Sequence, residues 1–221
     1  MVQIVSPHIP KCGGTSLIDA VTSAIGPDLI YLDYGDSPAN PATDFSIDPL
    51  GTAERFAADA ATLLASKRLA YGHMHAAKYR LAAPNAAWVT ILRDPVERLI
   101  SHYFFWREAP VAQANPLRRY FHEQSLDLLG FARLPMVGGF YRDVFFRGLR
   151  RADFEFVGRT DAIEAFTVVL GQMLDVELLL PRSNVGGLRS GGDALEEIDR
   201  ARPFLRDILK DEIAFYEEWT R

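Results

Sequence analysis

Lys11, Gly13, Gly14, Thr15 and Ser16 crowd one short stretch, His8-Ile9-Pro10-Lys11-Cys12-Gly13-Gly14-Thr15-Ser16-Leu17. An ammonium, two residues without a Cβ and two hydroxyls in that order suit a phosphate-like anion. The glycines let the backbone approach it closely and adopt φ > 0. The hydroxyls donate to its oxygens, and Lys11 neutralises charge. A second stretch, Ile91-Leu92-Arg93-Asp94-Pro95-Val96-Glu97-Arg98-Leu99-Ile100-Ser101-His102-Tyr103, supplies the planar fork of Arg93, matched to an anion's paired oxygens, and the hydroxyl of Ser101 two helical turns further on. A third, Tyr71-Gly72-His73-Met74-His75, offers imidazoles, the side chains whose ordinary pKa lies nearest neutrality.

The elements that must carry these groups alternate between strand and helix. Val2 to Ser6 reads as a buried strand, and a Gly-rich turn then leads into an amphipathic helix from Thr15, closed by Gly26-Pro27. Such a turn aims unpaired helix N–H groups and the positive end of the dipole at an anion. Leu29 to Leu32, Leu69 to Gly72, Trp88 to Leu92 and Phe154 to Val157 read as further strands. Helices are expected over 52–66, from Pro95 to about Arg107, in pieces over 116–151, from about Asp161 to Leu174, and from Asp193 to the end with a break near Pro203. Residues 33–50 carry three Pro and four Asp and read as one long loop. Strands alternating with helices predict a single three-layer α/β/α domain over 1–221 with a central parallel sheet.

Composition narrows the class. The chain has 221 residues, 48% hydrophobic and 24% charged, with 14 Phe, 8 Tyr and 3 Trp, which leaves ample apolar mass for a core and excludes global disorder. A lone Cys excludes a disulfide framework within the chain and a Cys-rich zinc site. The net charge of −5 argues against a nucleic-acid partner. The absence of an apolar run of spanning length argues against a membrane span, and the N-terminal stretch lacks the pattern of a signal peptide. The expected location is therefore the cytoplasm.

The first stretch resembles the 5′-phosphosulfate-binding loop of sulfotransferases, and more narrowly that of the carbohydrate branch that includes heparan sulfate 2-O-sulfotransferase, where PK-x-x-x-T-S follows the first strand. The second resembles the family's 3′-phosphate motif, RDPxxRxxSxY, at every fixed position. The two lie about 80 residues apart, in the family's order. The resemblance implies a P-loop-NTPase-like sulfotransferase fold in a compact, bacterial-type member. It implies 3′-phosphoadenosine 5′-phosphosulfate (PAPS) as cofactor and adenosine 3′,5′-bisphosphate as product. Lys11, Cys12, Gly13, Gly14, Thr15, Ser16, Arg93 and Ser101 would hold the cofactor, and Arg189, with Asn184, would belong to a closing loop over 181–192. No metal is implied.

By the same resemblance His73 is the base that takes the acceptor's proton and Lys11 serves the leaving oxygen. His75 is the second choice and a candidate substrate contact. The acceptor would be a small molecule or glycan, its pocket shaped by 33–50 and 108–151. His8 is expected only to shape the loop, and His102 and His122 to lie on helix surfaces. Asp94 is expected to cap its helix, Arg98 to pair with an acid or face solvent, and Arg159 to approach the site. The Arg-rich 142–151 is read as a solvated face or a contact for an anionic acceptor. Two other classes stay open: a P-loop kinase or nucleotidase, against which GxxxxGK[ST] is missing, and a non-catalytic scaffold.

Overall fold

Ile4–Pro7 form the central strand β1, buried at all four positions, as parallel strands covered on two sides must be. A computed structural model describes residues 2–108, 116–181 and 192–221. Around β1 stand β2 (Ile30–Leu32), β3 (Leu69–Gly72), β4 (Ala87–Leu92) and β5 (Phe156–Arg159) in one all-parallel sheet, ordered β2-β3-β1-β4-β5. The register pairs Ile4 with Leu69 and Pro7 with Gly72 on one side, and Ile4 with Ala87 on the other.

The helices are α1 (Gly14–Ile25), α2 (Asp44–Ile47), α3 (Pro49–Leu63), α4 (Tyr79–Ala82), α5 (Pro95–Glu108), α6 (Pro116–Glu123), α7 (Leu128–Ala132), α8 (Ile163–Met173), α9 (Gly192–Ile208) and α10 (Lys210–Trp219). Crossovers between parallel strands are right-handed, and here they leave β1 in opposite directions, toward β2 and later toward β4. Helices therefore cover both faces, and the molecule is the expected α/β/α sandwich. The chain order reverses between β1 and β4, where open parallel sheets leave a crevice at the strands' carboxyl ends. The turns after β1, β3 and β4 all open there, so the three stretches of candidate residues share one edge.

Apolar burial forms two clusters. One surrounds the sheet, and the other gathers α5, α7 and α9 around Trp106, Phe121, Phe131 and Leu205. α5 lies against both and is buried nearly all round, which overturns the surface placement of His102: the ring is 6% exposed. His122 is half-buried. Two further differences concern ends and breaks. The 33–50 loop is shortened by α2 and by α3 beginning at Pro49, and Lys78 holds it at 2.8 Å from Asp33 and 3.5 Å from Asp36. Pro203 does not break the tail: α9 runs through it to Ile208, because buried Ala201 and Leu205 outweigh one lost backbone bond, and the break falls at Leu209.

Candidate active site

The turn after β1 is wound for an anion. Lys11 has φ 70 and Gly13 φ 81, both left-handed, so the chain doubles back before α1. Gly13 is the N-cap of α1, and no side chain caps that helix. The first turn therefore presents its N–H groups and the positive end of its dipole to the space above. Gly14 has no room for a side chain: a Cβ there would stand 2.0 Å from His8 Nε2 and 2.4 Å from Tyr71 Oη. The Tyr71 hydroxyl donates to the Gly14 carbonyl at 2.8 Å, fixing that approach.

Arg93 and Ser101 line one cleft of about 370 Å³ with Lys11, Gly13, Gly14, Thr15, Ser16, His8 and His73. The two motifs, distant in sequence, thus face each other. Cys12 does not join them. Its side chain is fully buried, 3.5 Å from Tyr141 Oη, and its N–H donates to Ile9 O. Burial pushes its thiol pKa up. The Lys11 ammonium crosses the cleft to lie 4.4 Å from the Phe105 ring centre.

Two residues overlooked at the sequence level tie the turns together. Tyr141 Oη donates to the Arg93 carbonyl at 2.7 Å and accepts from the Arg93 N–H at 3.2 Å. Thr160 Oγ1 lies 3.3 Å from Cys12 O and 3.0 Å from Leu92 O. Arg93 itself donates to Lys11 O at 3.3 Å. Nothing local marks Tyr141 or Thr160, since each bond spans a long separation. Behind Tyr141, buried Glu212 accepts the N–H groups of Tyr141 and Arg142 at 2.8 and 3.0 Å.

Asp94 caps α5 as expected, accepting the Glu97 N–H at 3.0 Å. Arg98 does not face solvent. It is 1% exposed, donates to Val137 O at 3.3 Å, and its charge acts on Glu212. Arg159 pairs with Asp161 at 2.9 and 2.5 Å. A second cleft of about 710 Å³ adjoins the first through Gly13, Ser16 and Arg93 and is walled by Thr160, Ile163, Leu180 and Tyr216. Its volume is that of a nucleoside-sized pocket. In the Arg-rich 142–151, Arg142 pairs with Asp143 and Asp211, Arg150 pairs with Asp153, and Arg151 donates to Trp219 O. That pairing favours a solvated face over a contact for an anionic acceptor. Asn184 and Arg189 lie outside the described residues.

His73 stands where β3 ends, its ring 4.6 Å from His8 and 5.0 Å from Tyr34. Its Nε2 is buried with no hydrogen-bond partner among the described residues. Burial lowers its pKa to about 4, so the neutral ring dominates at pH 7. His8 is more than a shaping residue. It lines the cleft, meets the Tyr34 hydroxyl through Nδ1 at 3.2 Å, and is lowered to about 3 by burial, then by His73 and Lys11. His75 turns away, stacking on Phe45 at 4.4 Å with Nε2 3.3 Å from Ser46 Oγ; burial lowers it to about 4. The same strand end thus sends one imidazole to the cleft and the other to the 33–50 loop.

Comparison with known proteins gives structural neighbours only. No family profile matches the chain, and no curated protein matches by sequence. A sulfotransferase from Alicyclobacillus acidocaldarius is 17% identical, with 97% of this chain and 96% of that one covered and a TM-score of 0.41. Mouse sulfotransferase SULT7A1, complexed with PAP, is 13% identical over 90% of this chain and 63% of its own, with a TM-score of 0.45. An uncharacterized Eubacterium ventriosum protein is 13% identical over 79% and 98%, with a TM-score of 0.38. Likeness of that degree assigns no residue role. Among the described residues no helix is long and apolar enough to cross a membrane.

Proposed function

We propose that the chain is a PAPS-dependent sulfotransferase: PAPS and an acceptor hydroxyl give a sulfate ester, adenosine 3′,5′-bisphosphate and a proton. The observation that carries this reading is the meeting of both anion motifs in one cleft with His73, whose Nε2 has no partner among the described residues. The fit is physical. An uncapped helix start, an ammonium and two hydroxyls suit the 5′-phosphosulfate end, and Arg93 with Ser101 suits the 3′-phosphate. The cofactor, when bound, supplies an activated sulfuryl group. His73 accepts the hydroxyl proton at Nε2, for which the neutral, desolvated ring is prepared. Lys11 offers its ammonium to negative charge gathering above the loop. Thr15 and Ser16 orient oxygens at the start of α1, and buried Tyr141 and half-buried Thr160 hold the two turns in register. The resemblance extends to a carbohydrate acceptor; the apolar walls next to His73 disfavour that extension.

Thermal stabilisation tests the reading, because a ligand that binds only the folded state raises Tm by mass action. At a hundredfold excess over Kd the gain is about 2.7 kcal/mol, or roughly 5–10 °C for a chain of this size. The expected result is a shift with adenosine 3′,5′-bisphosphate well above that with 5′-AMP. A shift with Mg·ATP alone would make the protein a nucleotidase or kinase instead.

A further inference from the structure

Beside His73 lies a second, smaller cavity of about 180 Å³, walled by Phe105, Trp106, Met136, Val137 and Phe140. Among the described residues, the polar side chains that line it are Ser37, His73 and His102. Ser37 comes from the loop after β2, and Met136 to Phe140 from the segment after α7, the two regions expected to shape an acceptor pocket. Pro10, His73 and Phe105 line this cavity and the anion cleft alike, so the two spaces meet at the imidazole.

We propose that this cavity takes a one-ring aromatic alcohol, its hydroxyl presented to His73 and a second, hydrogen-bond-accepting substituent read by the Nε2–H of His102. The size is the first support: an engineered apolar cavity of about 150 Å³ binds benzene. A sugar is a poor occupant. It carries a hydroxyl on nearly every carbon, and three polar side chains cannot satisfy them once water is gone.

The second support is how His102 is held. Arg98 is donor-only, and its NH1 lies 3.4 Å from His102 Nδ1, so Nδ1 must accept. The hydrogen of the neutral ring therefore sits on Nε2, which no hydrogen bond reaches among the described residues. Burial, then the charge of Arg98, holds His102 well below its ordinary pKa, so the ring stays a neutral donor. Arg98 is fixed in turn, 3.3 Å from Val137 O and 4.2 Å from the Phe140 ring centre, two residues of the cavity wall. Edge contacts from Trp106, Phe131 and Phe140 hold the imidazole in place. A buried arginine here orients one directional donor in an otherwise apolar space.

The fate of the hydroxyl rests on the sulfuryl-transfer reading; the binding does not. Calorimetric titration of the full chain with phenol, the three hydroxyacetophenone isomers, cyclohexanol and methyl glucoside tests the proposal, with adenosine 3′,5′-bisphosphate titrated separately. At least one hydroxyacetophenone should bind about tenfold tighter than phenol, a difference of about 1.4 kcal/mol. H102F should bring that preference within about twofold and leave phenol binding in place. Should H102F fail to fold, Ala39→Phe fills the cavity from its half-exposed rim and leaves Arg98 and His102 alone. It should abolish binding of every phenol and leave bisphosphate binding unchanged. Methyl glucoside binding without phenol binding overturns the proposal, as does a preference that survives H102F or phenol binding that survives Ala39→Phe. Phenol binding without bisphosphate binding upholds the pocket and removes sulfuryl transfer; the reverse pattern removes the pocket alone.

Discussion

His73 combines a buried nitrogen that has no hydrogen-bond partner among the described residues with a place on the anion cleft. With its pKa lowered to about 4 by burial, the ring is a proton acceptor throughout the neutral range. Protonation removes that capacity, so kcat/KM, which reports the free enzyme, should stay level from pH 8 to about 5.5 and fall as pH drops toward 4. H73A should lower turnover by about 10²–10⁴, the usual worth of a positioned base, and keep bisphosphate affinity within about twofold. An acid limb centred near pH 6.5, or an H73A variant as fast as wild type, would remove His73 from the chemistry. The sequence singles out His73 among five histidines because it ends a strand in a Gly-His segment that resembles the one in the carbohydrate sulfotransferase branch. It gives no such sign for His8 or His102, whose places follow from the crossing of β1 beside β3 and from the double cover over α5.

At the scale of elements, the legible features are the local ones. Apolar runs, Gly-Pro punctuation and Pro95 just inside a helix place β1, β3, β4, α1 and α5 to within a residue or two. The staples between them are illegible, because each depends on how strands are ordered in space. Tyr141 is the clearest case: one hydroxyl serves the Arg93 carbonyl and N–H from 48 residues away and touches the Cys12 thiol from 129 away. The Tyr141→Phe change keeps the ring and strands the buried groups at the end of β4. A loss of about 1–3 kcal/mol in stability is expected, read by urea unfolding. Bisphosphate affinity should also weaken severalfold, since the Arg93 backbone would lose its tie to the Lys11 turn. A variant destabilised to that degree but binding the bisphosphate as tightly as wild type would show the staple to be structural only. Pro203 teaches the opposite lesson: a strong local breaker yields when the helix buries residues a short way to each side of it, here Ala201 and Leu205.

For the whole molecule, alternating strands and helices announce the sandwich, but only the order β2-β3-β1-β4-β5 brings three separate turns to one crevice. That convergence packs imidazoles into places where their charged form is disfavoured, and stability inherits the consequence. His8, His73 and His75 are lowered to about 3, 4 and 4, with burial the largest cause in each. An unfolded histidine titrates near 6.5. Between about pH 6.5 and 4 the unfolded chain therefore binds more protons than the folded one, and stability rises with pH across that window. Each histidine contributes at most about 1.4 kcal/mol per pH unit. Glu212 works the other way, since burial raises its pKa and the folded state then holds a proton longer as pH climbs above the ordinary carboxylate range. Asp143, Asp153 and Asp161 are lowered from 3.8 and enter only in stronger acid. With four depressed histidines, buried His102 among them, against one raised carboxyl, Tm should fall by roughly 5 °C per unit from pH 6 to 4.5, allowing for partial solvation. Scanning calorimetry across that range would read it, and H73Q combined with H75Q should flatten the slope. A Tm that holds or climbs on acidification to pH 5 would mean that these rings are solvated and charged in the folded protein, and the desolvated base would go with them.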